Sequence, residues 1–290
     1  MADLALLVLT LLWGTTFHFV KVVREIASPA VFLAARFGAA AAVLGAAWLV
    51  RRDRPGPGFF RDASLLGAFM LAGFALQTLG LKMTTPARSG FLTGLSVLVV
   101  PFIARFALGR RVRAASWGGV VLAVAGLALL ARPFAGELSV PTRAGDVLTL
   151  GCAFAFALQI VFTSEWSPRH ALVPFVLAQV VVTLLGAVLL LGTEQPFLRS
   201  DGAGRFAGTV AFTGIAMTAG AFFVMNWAQR RTSAVRAALI FSLEPVAAAL
   251  FSHLYGGAPL APEEWAGGAL IVLGVVAGEV GGAREAADPA

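Results

Sequence analysis

Long apolar runs, each near the length of a bilayer crossing, alternate with short polar stretches along the whole chain. A spanning helix needs about 20 mostly apolar residues. Delimiting the runs by their charged flanks predicts ten helices. The first runs from about Leu4 to Val20, the second from after Pro29 to near Val50, the third from Ala63 to Leu81 and the fourth from Pro86 to about Leu108. The fifth is Ala114 to Ala131, the sixth lies between Asp146 and Glu165, and the seventh between His170 and Glu194. The eighth lies between Arg205 and Arg230, the ninth covers about Ser233 to Tyr255, and the tenth starts at Pro262 and ends near Gly282. The runs are continuous rather than alternating in polarity, which selects helices over a transmembrane barrel. Two charges fall well inside these spans, Arg36 in the second and Glu244 in the ninth.

The pattern repeats. Trp117, Gly119 and Gly126 correspond to Trp265, Gly267 and Gly274 at a displacement of 148. Ala2-Asp3-Leu4 resembles Gly145-Asp146-Val147 at 143, and Thr85 and Ala87 correspond to Thr232 and Ala234 at 147. Residues 1–141 and 142–290 therefore read as two five-helix repeats, forming one membrane domain with no soluble domain. An odd number of helices per repeat inserts the second half upside down relative to the first, an arrangement characteristic of secondary transporters. The predicted fold is an all-α integral membrane protein of ten transmembrane helices, two inverted five-helix repeats around a central cavity.

Composition agrees with that reading. Of the 290 residues 59% are hydrophobic and 13% charged, about half the charge a soluble surface carries. The net charge of +7 does not point to nucleic acid, because the arginines cluster in loops, as in Arg51, Arg52, Arg54 and Arg110, Arg111, Arg113. Thirteen of the 22 basic residues fall on the side bearing the N-terminus, eight on the other, and Arg36 inside the membrane. The bias predicts cytoplasmic N- and C-termini. The start, Met1-Ala2-Asp3, lacks the basic stretch of a signal peptide, so the first run is expected to be retained.

Leu12-Trp13-Gly14, Arg36-Phe37, Thr85-Pro86-Ala87 through Phe91-Leu92-Thr93-Gly94-Leu95 to Pro101, Ser242-Leu243-Glu244-Pro245-Val246 and the Trp-x-Gly starts of the fifth and tenth helices recur in order along nearly the whole chain. Together they resemble the EamA family of the drug/metabolite transporter superfamily, and within it the YddG-type exporters of aromatic and other amino acids. The resemblance implies ten helices, a central cavity, alternating access, a peripheral fifth helix in each half and a place in the bacterial inner membrane. The partners it implies are the lipid bilayer and a small-molecule substrate.

The candidate chemistry is that of binding. No G-x-x-x-x-G-K-[ST] phosphate loop surrounds Lys21 or Lys82, so an ATP-driven mechanism within this chain is not expected. His18, His170 and His253 are widely separated and Cys152 is the single cysteine, so neither a metal site nor any other cofactor is expected. Ser96 and His253 sit at different depths, which argues against an intramembrane serine protease. Trp13, Phe17, His18, Gln77, Gln159, Phe162, Asn226 and Trp227 form the candidate substrate-binding set: amides facing lipid are costly, so they should face the interior, where they either bind substrate or bridge helices. Arg36 and Glu244 lie at similar depth and form either a charge pair between the halves or two separate cavity groups, Arg36 for an anion and Glu244 for a proton. Arg88 reads as a carboxylate binder or an interfacial arginine. Pro101 and Pro245 are candidate hinges. The glycine faces of the fifth and tenth helices, with Gly274 and Gly278 in a G-x-x-x-G, suit close packing within the chain or a homo-oligomer contact through helix 5 or helix 10. The expected function is export of small metabolites, most of all amino acids; the alternatives are a hydrophobic-cation exporter and a membrane scaffold or receptor.

Overall fold

The computed structural model describes the backbone of residues 1–23, 25–132, 140–256 and 259–287, with all their side chains except those of residues 17, 18, 20–22, 86, 87, 140, 141, 256 and 279–287. Among the described residues the chain is helical, with one isolated antiparallel bridge between Ala27 and Leu198. The helices are α1 (Ala2–Val23), α2 (Pro29–Arg51), α3 (Phe59–Gly80), α4 (Pro86–Gly94), α5 (Ser96–Phe106), α6 (Ala114–Ala131) and α7 (Val140–Trp166). They continue as α8 (Leu172–Leu190), α9 (Ala203–Ala211), α10 (Ala221–Gln229), α11 (Ala234–Phe241), α12 (Glu244–Gly256) and α13 (Pro262–Ala287). Eight stretches among the described residues are long and apolar enough to cross a membrane, from Pro29–Arg51 to Ala234–Tyr255, and Ala2–Thr16 is a shorter apolar helix. The many exposed large apolar side chains, among them Leu49, Phe106, Val121 and Leu189, suit a lipid-facing exterior.

The starts follow local rules. Pro29, Pro86 and Pro262 occupy first positions of their helices, where a missing N–H costs nothing. Thr85 and Ser233 cap α4 and α11 by accepting the N–H of Arg88 and Arg236. These caps are 148 residues apart, as are the paired glycines; the structure therefore aligns Thr85 with Ser233 rather than with Thr232. α3 begins at Phe59, before the expected Ala63, and α7 at Val140, before Asp146. In both cases the acid expected to mark an end, Asp62 or Asp146, is partnered within the helix bundle.

Two spans are interrupted at corresponding places, at Leu95 between α4 and α5 and at Ser242–Leu243 between α11 and α12. At both, i→i−3 bonds are added to the i→i−4 ladder: Leu95 N–H is shared between Phe91 O at 3.1 Å and Leu92 O at 3.2 Å, and Ser242 N–H between Ala238 O at 3.0 Å and Leu239 O at 3.2 Å. Pro245 stands at the second residue of α12, whereas Pro101 lies inside the continuous α5, so Pro101 does not mark the break in its span.

The span from Ala203 to Gln229 carries a π-helical segment at Phe212–Gly220. α6 and α13 form the most extensive helix pair, followed by α3 with α7 and α2 with α8. The glycine faces of α6 and α13 lie on one another: a Cβ on Gly126 would stand 2.5 Å from Gly267 O, and one on Gly119 2.5 Å from Gly274 O. Gly119, Gly126, Gly267 and Gly274 are thus packed within the chain, while Gly118 on the same helix faces open space.

At the end of the bundle away from the arginine clusters, the loop before α2 is tied to the loop after α8 by Ser28 N–H to Phe197 O at 3.0 Å and Arg199 N–H to Ile26 O at 2.8 Å. Glu194 accepts the Ala30 N–H at 2.7 Å and pairs with Lys82 at 3.2 Å, capping α2 where Ser28 makes no side-chain cap. Burial raises the affinity of Glu194 for a proton, but the Ala30 N–H and the Lys82 ammonium outweigh it and hold the carboxyl below its ordinary value. A carboxyl depressed in the fold stabilises above the unfolded value and loses that contribution as pH falls through the folded one. The melting temperature in detergent should therefore drop on acidification below the ordinary carboxylate range, by about 1 kcal/mol of stability or less. Glu194→Gln should remove that part of the drop; an unchanged acid profile in the variant would overturn the assignment.

Candidate functional site

The expected site set converges in one place and disperses in others. Trp13 on α1 and Arg36 on α2, both of the first half, reach the π segment of the second. Trp13 Nε1–H donates to Met217 O at 3.1 Å. Arg36 donates through Nη2 to the same carbonyl at 3.3 Å and through Nε to Thr218 Oγ1 at 2.6 Å. A π turn is what makes this carbonyl available, because the wider winding displaces backbone acceptors from the regular i→i−4 ladder. The same winding lets Thr218 Oγ1 donate to Thr213 O, five residues back, at 2.8 Å. Gly214 admits α2 to contact: a Cβ there would lie 2.7 Å from Arg36 O.

Arg36 is 8% exposed, and its guanidinium carbon lies 5.7 Å from the Phe74 ring centre, a stacking environment suited to a buried cation. Trp13 contacts Phe222 at 5.9 Å and Phe241 at 5.7 Å between ring centres. Beside it, Gly14 brings α1 against α12, where a Cβ would stand 2.5 Å from Ala247 Cβ.

Glu244 begins α12 next to this cluster. The direct ion pair considered from sequence is not made in this conformation: among the described residues no ion pair joins them, and Arg36 is directed to Met217 and Thr218 instead. Glu244 takes no hydrogen bond from the described residues, leaving its oxygens available to a small polar group.

The other expected residues take different surroundings. Gln77 donates to Thr93 Oγ1 at 3.2 Å, and that hydroxyl lies 3.8 Å from Cys152 Sγ. Asn226 is fully buried as a helix bridge, donating to Phe222 O at 2.9 Å and accepting from Gln179 Nε2 at 3.3 Å. Phe162 stacks between Phe69 and Trp166 in a satellite core with Phe59 and Phe175. Trp227 lies 4.5 Å beneath the Arg231 guanidinium. Gln159 is buried, and its Nε2 has no partner among the described residues. The side chains of Phe17 and His18 lie outside the described residues.

Sequence reasoning missed Met217, Thr218, Phe74 and Phe241. A π segment shows no residue signature, and a backbone carbonyl none at all. It also left aside the buried Asp62–His170 pair, 2.9 Å apart, which joins the starts of α3 and α8. Among the described residues no group of three or more His, Cys, Asp or Glu is placed to hold a metal.

Comparison with known proteins places these features. The family model described as the EamA-like transporter family matches residues 1–132 and 143–277. An uncharacterized transporter of Archaeoglobus fulgidus is 30% identical over 278 residues, covering 95% of this chain and 84% of the relative. The uncharacterized inner membrane transporter YedA of Escherichia coli K12 is 25% identical over 94% of this chain and 88% of its own length. The uncharacterized transporter YyaM of Bacillus subtilis is 25% identical over 91% of this chain and 88% of its own. A protein crystal structure at 21% identity superposes with a TM-score of 0.83, covering 96% of this chain and 97% of that one, a likeness of fold.

Proposed function

The chain belongs to the EamA-like transporter family, and from that premise we propose that it exports small zwitterionic metabolites, amino acids foremost, across a bacterial inner membrane by alternating access between two inverted five-helix halves. That the family model matches two segments, 1–132 and 143–277, supports reading the chain as two halves. The glycine contacts support a two-fold relation between them. Gly119 and Gly267 are repeat mates, as are Gly126 and Gly274, and the contacts run crosswise, Gly119 to Gly274 and Gly126 to Gly267. A two-fold axis produces this reciprocity.

The observation that carries the substrate reading is the arrangement of Arg36 and Glu244. Arg36 is anchored at Nε and Nη2, and no bond to Nη1 forms among the described residues. The remaining donors suit a carboxylate, which arginine binds in a planar, charge-assisted geometry. Glu244 suits the ammonium. Trp13, Phe222 and Phe241 supply an aromatic wall for the substrate side chain. A hydrophobic cation is the second reading, favoured by the absence of a direct ion pair on Glu244. Family membership and the transporter names of the relatives support neither an enzyme nor a scaffold.

Purified protein in liposomes should carry at least one neutral aromatic amino acid in a saturable manner, and analogues lacking either the carboxylate or the ammonium should compete poorly. Flux of a hydrophobic cation with none for any amino acid would overturn the zwitterion reading.

A further inference from the structure

Among the ion pairs that join the halves, two are repeat counterparts of each other. In one, Arg88 of the first half holds Asp146 of the second: Nε reaches Oδ1 at 3.2 Å, Nη2 binds Oδ2, and Thr84 Oγ1 donates to the same carboxylate at 2.7 Å. In the other, Arg236 of the second half faces Asp3 of the first, with Nη1 4.0 Å from Oδ2. Asp3 and Asp146 occupy the matching Ala2-Asp3-Leu4 and Gly145-Asp146-Val147 segments. Arg88 and Arg236 each stand three residues after the hydroxyl that caps their helix, Thr85 at 3.3 Å and Ser233 at 3.2 Å from the arginine N–H.

Other pairs between the halves lack this relation. At an offset of 148, Arg110 of the Arg110–Glu165 pair falls on Ala258, Asp62 of the Asp62–His170 pair falls on Val210, and Lys82 of the Lys82–Glu194 pair falls on Arg230 but Glu194 on Ala46.

We propose that Arg88–Asp146 and Arg236–Asp3 are the two latches of one alternating device, each closing one membrane face and strengthening as the other loosens. The proposal rests on the inverted-halves reading. Opposite orientation of the halves puts Asp146 and Asp3 at opposite faces, Asp3 at the arginine-rich one. The arginines ride on short segments, α4 with 9 residues and α11 with 8, each cut off from the rest of its span by the interruption at Leu95 or at Ser242–Leu243. A short segment ending in a tightened turn can tilt without moving the whole span.

The two latches are not equally engaged. Arg88 and Asp146 are 11% and 15% exposed, whereas Arg236 and Asp3 are 34% and 39% exposed. Asp3 Oδ1 is buried and without a hydrogen bond among the described residues. The face at Asp146 also carries the Glu194 cap and the Ser28–Phe197 tie. The structure therefore holds the Asp146 latch closed and the Asp3 latch slack.

The test uses the full chain in lipid nanodiscs with Cys152 replaced by Ser. Spin-label pairs at Met83 and Leu198 report the Asp146 face, and pairs at Phe106 and Pro168 the arginine-rich face. Asp146→Asn should shift the populations about fivefold toward a longer Met83–Leu198 distance, and Asp3→Asn should shift them the opposite way. Arg88→Asp combined with Asp146→Arg should restore the parental distribution, and it carries the same test where a single variant fails to fold. Shifts in one common direction, unmoved distances or an unrestored double variant would each overturn the latches. The distances are read without substrate, so shifted distances in a protein that moves no amino acid keep the latches and remove only the substrate reading.

Discussion

Arg36→Gln should lower amino-acid flux by about a hundredfold, the effect of losing one charge-assisted contact of about 3 kcal/mol. On the proposed zwitterion reading, the substitution removes the group that would bind the substrate carboxylate, together with the bonds to Met217 O and Thr218 Oγ1. Arg36→Lys should recover little of the loss. A lysine ammonium keeps the charge, but its compact head cannot hold the π-segment carbonyl and the Thr218 hydroxyl while presenting a planar edge to a carboxylate. Initial rates in liposomes, normalised to correctly inserted protein, measure both variants. Parental rates in Arg36→Gln would remove Arg36 from the transport site.

Arg36 also ties the two halves together, so a flux defect alone could come from a loosened bundle. Substrate structure separates the causes. If Arg36 reads the carboxylate, an amine analogue lacking that group should compete equally well, or equally poorly, with the parent and with Arg36→Gln. If the variant has only loosened the halves, competition by zwitterion and amine should weaken together. Glu244→Gln offers the converse: competition by an analogue lacking the ammonium should be insensitive to it.

Much of the architecture is legible because lipid leaves the sequence few options. Ala114–Ala131 is recovered at both ends, and Pro86 and Pro262 start their helices as expected. The errors come from treating charge as a terminus. Arg143 and Asp146 lie within α7, and Asp62 within α3, because bonding to Arg88 or His170 allows a carboxylate to sit inside a helix near the membrane edge. Trp13, Arg36 and Glu244 stand out in the sequence as polar or amphipathic groups in apolar runs. What they meet does not, since the acceptor common to Trp13 and Arg36 is a peptide carbonyl displaced by nine residues of π winding. Asn226 was legible as a buried amide, but residue type cannot say whether its partner is a substrate or Gln179. Pro101 lies inside the continuous α5, since membrane helices absorb a proline, and the interruption falls at Leu95, where the chain carries no proline.

The largest effect on stability should come from one added methyl group between α6 and α13. A Cβ on Gly126 would meet Gly267 O at 2.5 Å and Ile271 N at 2.8 Å; one on Gly267 would meet Gly126 O and Leu130 N, each at 2.6 Å. These neighbours are backbone atoms of a regular helix, so no rotamer change relieves the clash and the helices must separate along their contact. Overpacking of this kind costs about 1–3 kcal/mol, with further loss as the close dispersion contacts between the helices open. Gly126→Ala and Gly267→Ala should therefore destabilise the protein strongly and to a similar degree, since they are the two sides of one contact. Gly118 supplies the control within the same helix: nothing lies within 4 Å of a Cβ there, and replacing a helical glycine by alanine gains about 0.5–1 kcal/mol when space permits. Unfolding followed in mild detergent should place Gly118→Ala at or above the parent and both contact variants well below it. If Gly126→Ala melted with Gly118→Ala, the two helices would not be held at the separation seen here. If Gly126→Ala fell while Gly274→Ala, at its repeat mate, did not, the contact would stand but the two-fold equivalence of the halves would not.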